Sequence, residues 1–302
     1  MSQPILQVVI PAYGESPYLK ETLESAVKNL SSAVKIVVLE DPSDKKNIPD
    51  IVKNFSDRVE YQINPTKLGI AGNFNKAIEI SQAKFTLICG SDDLILGDLS
   101  HELQNLEADS YAAVTSKNEI IDARGSKIAP LPDIVKKLIS PKFKKPQAYK
   151  NRKFFNYLML GDWMYFPSIA WNTEIIRKEK FSDQFHTAMD LDIFVRLIEK
   201  NYKIYHFPVT KFAYRRHQQS ASSIYANETG RFKEELSCHK YALQVANAKH
   251  WRLSRLLAQL AVTVRLHGIL KAISWALKFK FKPARELMAI SLIRLTSPRL
   301  EI

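Results

Sequence analysis

Three clusters of chemistry-bearing residues stand in the first hundred positions: Pro11-Ala12-Tyr13-Gly14-Glu15, Glu40-Asp41-Pro42-Ser43-Asp44 and Gly90-Ser91-Asp92-Asp93. Each follows an apolar run of the kind that makes a buried strand. One acidic loop taken alone is a solvated turn or a helix cap. Two at one rim repel each other unless something cationic offsets them, and a hard divalent ion with oxygen ligands, Mg²⁺ or Mn²⁺, suits. Such an ion usually keeps one or two protein carboxylates plus substrate phosphates, which calls for a nucleoside-diphosphate ligand. The chain has neither GxxxxGK followed by Ser or Thr nor GxGxxG, so metal and side chains are expected to hold the phosphates.

The elements that must position these clusters are legible from periodicity. Residues 6–11 (LQVVIP), 34–39 (VKIVVL), 59–63 (VEYQI) and 85–89 read as strands, and 18–30, 49–55 and 72–81 as helices. Strands alternating with helices predict an α/β fold, a mostly parallel sheet flanked by helices, with ligands at the carboxyl ends of strands. From about 110 the pattern loosens into an expected antiparallel pair, 112–116 and 119–122, and then a lysine-rich segment, 131–155, with three prolines. Beyond 225 the reading is helical throughout. A chain of 302 residues with 46% hydrophobic content can bury one large core or two smaller ones, and one main domain with an appendage is expected.

In this order, VVIPAYGESPYLKETLESA, IVVLEDPSD, NPTKLGIAGNFNKAI and FTLICGSDD resemble glycosyltransferase family 2, inverting sugar-nucleotide-dependent enzymes of the GT-A (Rossmann-like) fold. The likeness is dense over 5–100 and thinner to about 225. It implies a GT-A catalytic domain over 1–224, with a nucleotide-binding half (1–100) and an acceptor-binding half (101–224), followed by a basic helical extension over 225–302. It places Pro11, Ala12 and Tyr13 against base and ribose, and Asp41 with Glu40 at the base edge. Lys67, Leu68 and Gly69 would close over base and diphosphate, and Gly72, Asn73 and Lys76 would open the next helix; Lys76 reads better as a solvated lysine. Asp92 and Asp93 occupy the metal-binding acidic motif, whose first acid is here Gly90. That leaves Asp93 as the direct ligand and Asp92 toward ribose or metal.

In the second half, Phe181-Ser182-Asp183-Gln184-Phe185 and the stretch from Ala188 to Leu197 resemble the family segment that supplies the catalytic base. Asp190 takes that position, with Met189 where a Glu is usual, and a helix-capping role for Asp190 is compatible with it. Asp192 reads as structural, pairing with Arg196. The run 214–222, YRRHQQSAS, resembles the family ending in which Arg215 and Arg216 meet the diphosphate; His217 as a metal ligand stays open. Trp163 and Tyr165 either stack on an acceptor sugar or belong to the core.

The implied activity is inverting transfer of a sugar from a nucleoside-diphosphate donor, UDP-linked first, to a hydroxyl of a glycan or lipid-linked acceptor in bacterial cell-surface polysaccharide synthesis. A catalytically degenerate scaffold is the alternative, since Gly90 and Met189 depart from pattern. Net charge is +13, and residues 225–302 hold 14 Lys/Arg against 5 Asp/Glu. Such basic amphipathic helices, over 250–295, suit an anionic membrane surface; packing on the core or a homo-oligomer contact stands equally open. No nucleic-acid motif appears. Two cysteines and no signal peptide predict a cytoplasmic protein, peripheral on the inner membrane at most. The longest uncharged apolar run in the tail, 256–264, is nine residues, against the ~20 needed to span a bilayer.

Overall fold

The computed structural model describes residues 3–45, 47–107, 110–218, 220 and 229–295. Strands β1 (Leu6–Tyr13), β2 (Lys35–Asp41), β3 (Val59–Ile63) and β4 (Phe85–Ile88) form a parallel sheet in the order β3-β2-β1-β4. Helices α1 (Leu19–Asn29), α2 (Ile48–Lys53) and α3 (Gly69–Ile80) cross between them. Both faces of β1, β2 and β4 are buried, whereas the edge strand β3 turns Glu60 and Gln62 to one side. Val8, Ile10, Ile36 and Val38 pack with Leu19 and Leu23 of α1, whereas Val9, Val37 and Leu39 pack toward α3. Strands buried on both faces are what crossover helices require.

Beyond β4 the sheet turns mixed. The short β5 (Leu94–Ile95) and helix α4 (Ser100–Gln104) lead to β6 (Tyr111–Ile121), helix α5 (Leu131–Ile139) and the two-residue β7 (Gln147–Ala148). Helix α6 (Asn151–Leu160), strand β8 (Ile169–Asn172), helices α7 (Thr173–Glu179) and α8 (Met189–Glu199), and strand β9 (Lys203–Arg215) follow. β8 runs antiparallel to β4 and β6, while β6 pairs parallel with β9. The expected antiparallel pair over 112–122 is therefore one long strand. Its register against β9 shifts between Thr115 and Asn118, and that irregularity breaks the period-2 pattern read as a turn.

The first two strands also run further than expected: Pro11↔Leu39, Ala12↔Glu40 and Tyr13↔Asp41 are paired. β4 pairs only Leu6 to Val9 of β1, so Pro11 lies where β1 has become an edge on that side and its missing N–H leaves no ladder bond unmade.

After the undescribed residues come α9 (Gly230–Ala248), α10 (Arg252–Leu260), α11 (Val262–Leu277) and α12 (Phe281–Leu292). The expected domain border at 224/225 lies outside the described residues. α9 packs into the same core as α8 through Cys238, Ala242, Val245 and Ala246. Its other side, Phe232 and Leu236, joins Val264, Trp275 and Leu287 of α11 and α12 in a separate cluster.

The stretch Arg252–Leu277 is long and apolar enough to cross a membrane by length and composition, which the nine-residue uncharged run did not suggest, because only scattered charges interrupt it. Ala261, at φ 43°, splits it into two helices. Ser254, Ala258, Val264, Ala272 and Trp275 face inward, while Leu256, Leu266, Leu270 and Leu277 face out.

Candidate active site

The parallel strands deliver Tyr13, Asp41 and the 90–93 loop to one rim. Tyr13 is 53% exposed, and Lys67 reaches it from the loop before α3. The Lys67 ammonium donates to the Tyr13 hydroxyl at 2.7 Å and sits 4.4 Å from the ring centroid, so the two residues expected around a base do come together.

Asp41 is buried and clamps the same loop. Its Oδ1 accepts from the Leu68 N–H (2.8 Å) and its Oδ2 from the Gly69 N–H (2.9 Å). Gly69 has φ +74°, a conformation that a side chain would strain. A carboxylate has about four lone-pair sites, so Asp41 keeps acceptor capacity for a base N–H.

Glu40 and Asn73, expected at the nucleotide, are buried anchors instead. Glu40 accepts from the Tyr61 hydroxyl of β3 at 2.5 Å. Asn73 accepts from Asn64 (2.9 Å) and donates to the Leu39 carbonyl (3.3 Å). Successive strand residues point to opposite faces, so only one of the Glu40–Asp41 pair can serve the loop side.

The 90–93 loop bridges β4 and β5, and β5 pairs with Phe212 and Ala213 of β9; this brings residues 215–217 onto the acidic pair. His217 Nε2 lies 2.7 Å from Asp92 Oδ2, with its ring edge-on to Tyr18. Asp93 is buried and accepts from the Arg215 backbone N–H at 2.9 Å. Burial first, and Asp92 beside it second, push the Asp93 carboxyl well above the usual carboxylate range.

A Cβ placed on Gly90 would lie 2.7 Å from both Asp92 Oδ1 and Asp93 Oδ2. The two carboxylates converge on one point, open only because residue 90 lacks a side chain. Among the described residues no group of three or more His, Cys, Asp or Glu is arranged to hold a metal. A two-carboxylate cradle is nevertheless the donor set that suits Mg²⁺ or Mn²⁺, which retain waters and substrate phosphate oxygens. His217 points its Nε2 at Asp92, which makes it an orienting partner of that carboxylate.

The arginines depart from expectation. Arg215 is fully buried; its side chain donates to the Asp92, Asp122 and Ala123 carbonyls and to Glu21 Oε2, and stacks on Tyr18. With its donors spent inside, it braces the acidic loop and cannot grip a diphosphate. Arg216, on the opposite side of the chain, is bidentate to Asp133 of α5 at 2.6 Å, a geometry favoured whenever a carboxylate is in reach.

Tyr165 also donates to Asp133 and is largely buried. It belongs to this bracket and is not a platform for a sugar. Trp163 packs edge-on to Phe154 and near Tyr149.

Asp190 opens α8 and is buried. Its carboxyl is pushed well above the ordinary range, first by burial and then by Asp162; Lys136 opposes both effects. The Asp162 carboxyl is raised too, with burial again the leading cause; Lys136 opposes the shift and Glu235 adds to it. Lys136 lies one turn beyond Asp133 on α5, so the helix bound to Arg216 also carries the cation that acts on the Asp162–Asp190 pair.

Helix α9 holds the approach to Asp190. The Glu234 carboxylate accepts from the backbone N–H groups of His186 (3.0 Å), Thr187 (2.8 Å) and Ala188 (3.2 Å) and from the Thr187 hydroxyl (2.9 Å). It thereby caps α8 from another helix. Asp192 pairs with Arg196 at 2.8 Å and Lys76 with Glu79 at 2.8 Å, the structural roles expected of both. Sequence reading missed Asp162, Asp133, Lys136 and Glu234. The first stands in a stretch read for its aromatics, and the others lie on helices where an acid or lysine looks like a solvated face.

The family model described as glycosyl transferase family 2 matches residues 7–169. An uncharacterized glycosyltransferase of Methanocaldococcus jannaschii is 27% identical over 210 residues, 67% of this chain and 68% of that protein. A chondroitin synthase of Escherichia coli is 24% identical over 200 residues, 65% of this chain but 27% of that protein. Among solved structures, S. aureus TarS 1-349 in complex with UDP-GlcNAc aligns with a TM-score of 0.58 at 14% identity, covering 94% of this chain and 90% of that one. Mannosyltransferase PcManGT from Pyrobaculum calidifontis, in complex with GDP-Man and Mn²⁺, aligns with a TM-score of 0.56 at 16% identity, covering 96% and 84%. These neighbours share the α/β sheet architecture, and the fold is GT-A.

Proposed function

The chain belongs to glycosyl transferase family 2, and from that premise we propose that it transfers a sugar from a nucleoside-diphosphate donor to a hydroxyl of a glycan or lipid-linked acceptor, inverting the anomeric centre. The observation that carries this reading is Asp190, a carboxylate at the start of α8 whose affinity for protons is raised by burial and by Asp162. A carboxylate that holds a proton more tightly than a free one is the stronger proton acceptor. Asp190 would accept the acceptor hydroxyl's proton while that oxygen displaces the diphosphate in line; one displacement inverts the configuration. Keeping two carboxyls together in a buried site is costly, which argues against a degenerate scaffold.

Tyr13 and Lys67 would sandwich the base, and the Asp41-clamped loop 67–69 would cover it. UDP is the first nucleotide to test, since one structural neighbour binds UDP-GlcNAc and another GDP-Man. Asp92 and Asp93 fit Mg²⁺ or Mn²⁺ at the Gly90 cradle, where the ion would neutralise charge on the departing diphosphate. The chondroitin synthase relative supports a polysaccharide as the acceptor. Screening UDP-, dTDP- and GDP-sugars for thermal stabilisation with and without Mn²⁺ tests the donor reading; no metal-dependent shift with any of them would refute it.

The outward face of α10 to α12 exposes Leu256, Leu266, Leu270, Leu277, Phe279 and Phe281 beside Lys278, Lys280 and Lys282. It is proposed to rest on anionic lipid at the cytoplasmic face of the inner membrane. Full-length protein should co-sediment with phosphatidylglycerol vesicles, and Leu270→Glu with Leu277→Glu should abolish this; equal sedimentation of the variant would refute it.

A further inference from the structure

A cleft of about 640 Å³ opens between β6, α5, the 140–144 segment and the Trp163–Tyr165 turn. Six lysines line it, Lys117, Lys127, Lys136, Lys137, Lys142 and Lys144, against two acids, Glu119 and Asp133. Both acids are already engaged: Glu119 with Lys127 at 2.8 Å, Asp133 with Arg216 and Tyr165. The other five lysines have no carboxylate within 4 Å among the described residues. His206, also on the wall, is held down to about 4, by burial first and then by Lys117, so it stays neutral and the cleft's excess positive charge is lysine alone.

The cleft adjoins the proposed base. Lys136 lines it and acts electrostatically on both Asp162 and Asp190, and Trp163, which follows Asp162, forms part of its wall. Trp163 also buries its indole N–H without an acceptor among the described residues, and a buried unpaired donor is destabilising unless a ligand satisfies it. Concentrated like charge in a concave site is likewise a standing demand for an anion.

We propose that the acceptor is anionic, bearing phosphate or carboxylate groups close to the attacking hydroxyl, and that this lysine-lined cleft binds it. The assignment rests on the glycosyltransferase reading for the word acceptor, but the cleft's ligand chemistry is testable separately. Lysines act as point charges and do not impose the planar fork of arginine, so both anion types are within reach and the experiment tells them apart.

Calorimetry on the full chain would titrate three oligomers of matched length: a poly(glycerol phosphate), a polygalacturonate and a neutral maltooligosaccharide. The expected result is binding of one or both anionic oligomers, weakened at least tenfold between 50 and 200 mM salt, with no binding of the neutral one. The tighter anion names the group. Lys117→Gln/Lys137→Gln/Lys144→Gln should lower anion affinity at least tenfold and leave UDP affinity within twofold.

Equal binding of the neutral oligomer, or an unaltered anion affinity in the triple variant, overturns the proposal. So does a matching loss of UDP affinity in a variant that still melts cooperatively, since the cleft would then belong to the donor. If the triple variant does not fold, the three single variants and the wild-type salt dependence decide on the same criteria. Failure of UDP and of every nucleotide sugar to bind wild type would strike the glycosyltransferase reading, leaving the anion titration to judge the cleft.

Discussion

Two carboxylate pairs do different work in this protein because they are assembled differently. Asp92 and Asp93 are neighbours on one loop, converge on the gap left by Gly90, and have His217 and an Arg215 backbone N–H at hand. Asp162 and Asp190 lie 28 positions apart, and Asp162 acts on Asp190 only because the fold brings it near, with Lys136 as the opposing charge. The first pair lies at the rim, where Asp93 is buried and the proposed cation would meet its charge. The second is closed in, so burial raises its affinity for protons, the property the proposed base would use.

The sharpest way to break this contrast is Asp190→Asn. Transfer should fall on the order of 10³-fold, with donor affinity unchanged in calorimetry. Wild-type-like turnover would remove Asp190 from the mechanism. Because the Asp190 carboxyl sits above its unfolded value, the stability it contributes is present at low pH and lost as pH rises through the raised value. The Asn variant should therefore melt higher than wild type at pH 7 to 8, and this advantage should vanish toward pH 4.

Gly90→Ala attacks the other pair. The new methyl would sit 2.7 Å from both carboxylate oxygens, so Mn²⁺-dependent tightening of UDP binding should drop roughly 10- to 100-fold, while metal-free melting changes little. Unchanged Mn²⁺ dependence would show that the ion binds elsewhere.

Asp162→Asn should move the acidic limb of the kcat/KM profile to lower pH, since one of the two influences raising Asp190 is gone. The pair titrates as a unit, and an unmoved limb would uncouple the two residues. The smallest effect is expected for Glu234→Gln, which weakens the cap on the segment before α8. A loss of about 1 kcal/mol should appear as a melting point lower by a few degrees and a modest fall in kcat at constant donor affinity. A change in donor affinity instead would mean that α9 serves the other half.

The first hundred residues were legible because strand, loop and helix succeed one another there within about 30 residues. Apolar runs fix β1, β2 and β4, and whatever follows each run must lie at the same rim. Tyr13, Lys67, Asp41 and the Asp92–Asp93 pair could be read from that rule. Glu40, Asn73 and Arg215 could not, since each sits at the right address with its side chain turned inward. Strand alternation and the nearest available partner, Tyr61, Asn64 or Glu21, decided that.

In the second half the determinants are non-local. A reader of the chain sees Asp190 at a helix start but cannot see that Asp162 acts on it, that Glu234 arrives from α9, or that α5 carries Asp133 to Arg216 and Lys136 within electrostatic reach of Asp190. The sequence by itself determined the family, through the order of its motifs, and the strand–helix alternation that sets acids at one rim, because that alternation follows from short-range periodicity. Only the tertiary structure decided which acids hold protons, which arginines are spent and where the lysines gather. Burial and charge pairing depend on what the rest of the chain brings within a few ångströms.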